Sequence, residues 1–173
     1  MPSREEWAAA YARQARSDWT VFPQIVSIPD LPFCHRLHYL QMACEKIAKA
    51  YRARDTEIAI ENLTAHHVWF EKFVTAYFLS PKVKKAFAGQ DARRDRVARD
   101  TRRIAGQVEK LAPAVDPVAS PSNAEYPWMD GDRIVVPCDH DFPNLTLLKE
   151  PGGRAFLKLV GQAMDEFGNV RIH

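Results

Sequence analysis

At 173 residues, 46% hydrophobic and 27% charged, the chain has the composition of one ordinary folded domain, which excludes global disorder. A formal charge of +2 does not by itself imply a nucleic-acid partner, although positions 82–103 hold three Lys, six Arg and three Asp, a net +6 that leaves about −4 elsewhere. No run of about 18 apolar residues is present, the first residues lack a signal peptide's apolar core, and Cys34, Cys44 and Cys138 have neither CxxC spacing nor even number, so the expectation is a non-membrane protein of a reducing cytoplasm.

Ser3 and Glu6 stand at capping-box spacing, and Trp7, Tyr11, Ala15, Trp19 and Phe22 recur at helical intervals, which predicts a first helix to about Val26. Pro29 and Pro32 end it, and Pro32 suits the first turn of a second helix over 32–54. On that helix Leu37, Leu40, Cys44, Ile47, Ala48 and Tyr51 form an apolar stripe, with Glu45, Lys46 and Lys49 off it. Burying such a stripe stabilises by roughly 10 kcal/mol gross, which places the helix at the centre of a bundle.

A third helix is expected from Thr64, carrying Val68, Trp69, Phe70, Phe73, Val74, Tyr77 and Phe78. Pro81 opens a short helix to Ala88, stopped by Gly89. A fifth, over 91–111, shares Val97, Thr101, Ile104, Val108 and Leu111 on one face. Residues 112–123 are a Pro/Ser-rich loop, and Asp130-Gly131-Asp132 reads as a turn between short strands near Tyr126 and at 134–136. A last helix presents Phe156, Leu159, Val160, Ala163, Met164 and Phe167, with Gly168-Asn169 at its end. The expected fold is a single all-α domain over 1–173, an up-and-down bundle of five or six helices. A Pro-rich loop and irregular insertion (112–150), with a short β-hairpin, precede the last helix.

The run Gln41-Met42-Ala43-Cys44-Glu45-Lys46-Ile47-Ala48-Lys49-Ala50 resembles the second-helix pattern Gln-x-Ala-x-Glu-Lys-x-x-Lys-Ala of HEPN domains. Thr64-Ala65-His66 resembles the Thr/Ser-x-His that opens their third helix, and Glu125-Tyr126-Pro127 the Arg-Tyr-Pro of the nucleotidyltransferase-associated branch. The resemblance implies an all-α bundle, often dimeric. It further implies either a metal-independent RNase or a catalytically silent member, commonly a partner of a nucleotidyltransferase or nucleotide-binding module, in a toxin–antitoxin or defence setting. It implies no cofactor.

The RNase branch carries Arg-x4–6-His on a helix, where Arg holds the scissile phosphate and His handles a proton. Arg133 and His140 match that spacing, but Pro137 and the β-prone residues between them forbid the helix that would bring the two side chains to one face. The leading expectation is therefore a non-catalytic module that dimerises and binds a nucleotide, RNA or a nucleotidyltransferase. The alternatives are a metal-independent endoribonuclease, with Arg133 and His140 as its pair, and a purely structural dimerisation protein.

Candidate ligand-binding residues are His35, Arg36, His67, Tyr126 and Trp128, where the starts of the second and third helices are expected to meet the insertion. Arg96, Arg99 and Arg103 share a helix face and are candidates for phosphate or RNA contact. The competing reading is a solvated face with Asp95–Arg99 and Arg96–Asp100 pairs. His35, His38, His66, His67, Asp139 and His140 supply metal-ligand types without a metal-site spacing, so structural roles are expected and no metal. Glu45 and Lys46 are expected to make polar contacts between helices or across a dimer, and Trp128, Phe142 and Pro143 to fold over the bundle as a lid.

Overall fold

The first helix starts where its capping box predicts. In the computed structural model, which describes residues 2–115, 118 and 121–167 with the backbone alone at Thr64, the Ser3 hydroxyl accepts from the Glu6 N–H at 3.2 Å. The Glu6 carboxylate accepts from the Ser3 N–H at 2.6 Å in return. Five longer helices follow in order: α1 (Arg4–Val26), α2 (Phe33–Ala53), α4 (Phe70–Leu79), α6 (Asp91–Glu109) and α7 (Pro151–Glu166). The intervening α3 (Ile60–Ala65) and α5 (Pro81–Ala86) have six residues each. Between α6 and α7 lies an antiparallel pair, β1 (Trp128–Asp130) and β2 (Arg133–Val135), then 3-10 turns at Pro137–Asp139 and Pro143–Lys149. The protein is thus a mainly helical bundle with a small β-hairpin before its last helix. No described helix is long and apolar enough to cross a membrane.

α1 and α2 form an antiparallel pair. The Arg4 guanidinium donates to the Asp55 and Ile58 carbonyls just past the end of α2, at 2.8 and 2.6 Å, while Asp18 near the other end of α1 meets Lys46. Their interface differs from the expected aromatic stripe. Ala8, Ala12, Ala15 and Asp18 are the buried face of α1, and Trp7, Tyr11, Trp19 and Phe22 only flank it. Small side chains on this face permit a close approach of α1 to α2 that rings would block. On α2 the predicted stripe is buried throughout, but Pro32 sits one position before the helix, as its N-cap.

The third helix does not run unbroken from Thr64. α3 ends at Ala65, His66 is extended at φ −112°, ψ 145°, and α4 begins at Phe70. Val68 is exposed, so only Phe70, Phe73, Val74, Tyr77 and Phe78 form the buried face. The break has two physical causes. His67 is drawn to Glu45, and α4 receives a cap from another helix: the Glu109 carboxylate accepts the N–H groups of Phe70 and Glu71 at 2.7 and 3.1 Å. A start at Phe70 is fixed by that cap and not by a local one, since Trp69 supplies no side-chain bond.

α6 runs antiparallel to both neighbours, with Glu71 beside Arg102 and Gly152 beside Ile104. Gly153 is required for packing: a Cβ there would overlap the Leu148 backbone, where the second 3-10 turn crosses α7. The hairpin begins at Trp128, two residues later than the strand expected near Tyr126. Its turn has Gly131 at φ +60° in the first central position, the sign pattern that a tight II′-type connection needs. The expected Gly168-Asn169 helix end, and residues 116, 117, 119 and 120 of the Pro-rich loop, lie outside the described residues.

Candidate functional site

The polar residues of the second-helix pattern converge on α1 and on the segment before α4. Lys46 Nζ donates to Asp18 Oδ2 at 2.6 Å, and Gln14 Nε2 to Asp18 Oδ1 at 3.1 Å. One turn away Glu45 Oε1 lies 2.8 Å from Lys49 Nζ and 2.9 Å from His67 Nδ1, and Glu45 Oε2 accepts from Gln41 Nε2 at 2.7 Å. Lys49 is only 4% exposed and sits 5.9 Å from the Tyr11 ring centre. Burial alone would raise the Glu45 carboxyl, but hydrogen bonds and charge from Lys49 and His67 outweigh it and hold the group below the ordinary carboxylate range. Burial, with the Glu45 charge behind it, pushes the Tyr11 hydroxyl up.

Chemically this arrangement is a lock. Three donors engage the two Glu45 oxygens, so the carboxylate is kept ionised and tied to its neighbours, which suits a structural contact better than proton transfer. The expectation of contacts between helices holds for Lys46, which meets Asp18 of α1, whereas Glu45 meets Gln41 and Lys49 of its own helix and His67 in the segment before α4. Asp18 was not singled out by the sequence reading. The available signal was its place three residues after Ala15 on the small-residue face, where a carboxylate requires a buried cation.

The insertion docks on the start of α2. Its first 3-10 turn packs there, and the Phe33 and Phe142 rings meet edge-on at 6.5 Å. Burial raises the Cys34 thiol, with Cys138 and Asp139 adding to the shift. His38 Nδ1 and Glu125 Oε1 are 3.5 Å apart, an electrostatic contact too poorly aligned to count as a hydrogen bond. Trp128, His140 and Phe142 make one aromatic cluster, with His140 ring centroids 5.1 and 4.7 Å from the other two. Phe142, buried to 4% exposure, occupies the left-handed region at φ +47°, an uncommon conformation for a bulky residue held here by its ring packing. The expected lid is thus formed by Phe142 and the half-buried Trp128, whereas Pro143 is exposed.

The five candidate ligand residues do not come together as one pocket. Trp128 joins the aromatic cluster, Tyr126 is 61% exposed, and Arg36 turns back to donate to the Ile28 carbonyl at 3.0 Å. His35 is exposed, and His67 is held by Glu45 on the middle of α2. Arg133 lies at the hairpin tip with a 77% exposed side chain, 3.6 Å from Asp130. His140 instead borders a cavity of about 100 Å³ with Gln107 and Lys110 of the α6 end.

Arg96, Arg99 and Arg103 are all exposed, and none forms an ion pair among the described residues. Among the described residues the expected Asp95–Arg99 and Arg96–Asp100 pairs do not form, and Arg94 pairs instead with Asp91 and Asp95. Among the described residues no group of three His, Cys, Asp or Glu could hold a metal ion.

The hairpin faces outward with apolar side chains. Met129 and Ile134 are cross-strand partners and are 56% and 67% exposed, beside Tyr126. In comparisons with protein families, curated proteins and solved structures, nothing matches this chain.

Proposed function

We propose that the protein is a non-catalytic helical binding module of HEPN type, which pairs with a second copy of itself through the hairpin face and serves a nucleotide-, RNA- or nucleotidyltransferase-linked partner. The observation that carries this reading is a division of labour. The polar residues of the second-helix pattern are engaged with one another, with α1 and with His67, while Met129 and Ile134 are held outward on a hairpin whose Trp128 packs against Phe142. A rigid, exposed apolar face of this kind fits protein contact better than catalysis. Arg133 is turned to Asp130 at the exposed tip while the His140 ring packs against Trp128 and Phe142, and these separate engagements also favour binding over RNA cleavage. The setting in this reading is a reducing cytoplasm, supported by three free cysteines, two of them buried.

Light scattering across a concentration series tests the pairing. A dimer that dissociates in the Met129→Lys/Ile134→Lys variant supports it, and a monomer at every concentration removes it. Incubation with RNA tests the other half: cleavage abolished by His140→Ala or Arg133→Ala would replace this reading with a metal-independent endoribonuclease. Dimerisation without any thermal shift from nucleotides or RNA would leave a structural dimerisation protein.

A further inference from the structure

A groove of about 360 Å³ opens between α4, α5, α6 and α7, on the opposite end of α6 from His140, and it plays no part in the proposed pairing. Its floor is core: Tyr77, Phe78 and Leu159 are buried. Its walls are the half-buried Val83 and Phe87 of the α5 segment and Val97 of α6. The groove is built by the backbone. Ser80 caps α5 by accepting from the Val83 N–H at 3.4 Å, and Gly89 at φ +73° turns the chain into α6, so α5 stands off from α7 instead of closing on it.

The two charged residues that line this space are both cations, Arg93 and Lys158, with Gln90 and Gln162 beside them. Arg93 donates to Gln90 Oε1 at 2.9 Å, a neutral partner, so its charge is left without a counter-ion among the described residues. Lys158 has no ion pair among the described residues, and the Glu166 carboxylate, which accepts from the floor residue Tyr77 at 2.8 Å, is paired with Lys82 outside the lining. An apolar trough with unpaired positive charge at its rim suits one ligand shape: an apolar body with an anionic head. Its volume lies at the small end of the range for ligand pockets, about 300–1,000 Å³.

We propose that this groove binds a small amphipathic anion, a medium-length aliphatic or aromatic body bearing one carboxylate or phosphate, with the body against Phe87, Val97 and Leu159 and the head at Arg93 and Lys158. The proposal is independent of the hairpin pairing and survives its failure. The carboxylate and phosphate versions share the same recognition chemistry, and decanoate and decyl phosphate are the probes that separate them. Decanol tests the need for charge, and adenosine monophosphate tests a nucleotide in place of an amphiphile.

Titration calorimetry on the full chain, with methyl NMR shifts of Val83 and Val97 to locate the site, decides the matter. Decanoate or decyl phosphate is expected to bind and shift both valines, with decanol about tenfold weaker or more, the usual cost of losing charged hydrogen bonds. Arg93→Gln/Lys158→Gln, at two exposed positions, is expected to weaken the anions by a similar factor and leave decanol unchanged. Ala155→Trp, which fills the trough, is expected to block all three while circular dichroism reports an unchanged fold. If that variant does not fold, the charge pair alone carries the test. Absence of binding at about 1 mM probe, shifts elsewhere than the two valines, anion affinity indifferent to the charge pair, or preference for adenosine monophosphate would each overturn the proposal.

Discussion

Between α1 and α2, the charged side chains of Asp18, Glu45, Lys46 and Lys49 are largely buried and each meets an opposite charge. On β1 and β2 the apolar side chains of Met129 and Ile134 are exposed and meet nothing from the core. Both regions reverse the ordinary rule of polar outside and apolar inside. The reversal is tolerated for different reasons. A buried carboxylate is stable only while its cations stay, so the α1–α2 interface has one permitted register and stiffens the centre of the bundle. Exposed apolar side chains cost the monomer little, but they leave free energy to be gained when another surface covers them. One region fixes the fold, and the other is available for use.

Removing one partner from the closed region is the severest way to break this comparison. Glu45→Ala leaves the 4% exposed Lys49 without its carboxylate and frees His67, and a loss of about 3–5 kcal/mol in urea unfolding is expected. A change below about 1 kcal/mol would mean that the interface is not locked by charge.

Next in size is the anchor of the open region. Phe142→Ala should cost about 3 kcal/mol or more by emptying its site among Phe33, Trp128 and His140. Phe142→Gly should cost about 1 kcal/mol less than expected from the lost ring, because glycine accepts φ +47° without the left-handed penalty. An alanine variant equal to or better than glycine would show that the backbone there relaxes.

Acid sharpens the comparison further. The folded Glu45 carboxyl is held below its unfolded value, so its stabilisation is complete above the ordinary carboxylate range, about pH 4.3, and is lost as pH falls through the depressed value. Glu109 has the opposite sign. Burial raises it, against the Phe70 and Glu71 N–H groups, so its share is present at low pH and lost as pH rises through the raised value. Melting temperature against pH should therefore fall more steeply in the native protein than in Glu45→Gln. Parallel curves would contradict the Glu45 assignment. The smallest expected effect is on the exposed face: Met129→Lys/Ile134→Lys should change monomer stability by no more than about 0.5 kcal/mol per site while affecting self-association.

Local signals were well read where they were sufficient. Ser3 with Glu6, the prolines before α2, Pro81 after Ser80 and the turn at Gly131 each act within a few residues, and the structure uses all of them. The α2 stripe is buried as its spacing requires. The first helix was read through its rings, because large residues dominate a hydrophobic pattern, yet its alanines make the contact. The candidate ligand residues were scattered for a related reason: a pocket is a meeting of distant segments, and nothing in the spacing of His35, His67 and Trp128 fixes where those segments dock.

That this chain is a set of amphipathic helices broken by proline and glycine is legible residue by residue, since periodicity and backbone restriction are properties of a few neighbouring positions. That α4 begins at Phe70 follows only from packing, because its cap comes from Glu109 on another helix. Packing also decided that His67 belongs to Glu45, that Asp18 holds Lys46, and that α5 leaves a cation-rimmed groove. The first three depend on which long-range partner meets a buried charge or an orphan donor, and the groove on how four helical segments meet, choices that exist only once the helices have packed.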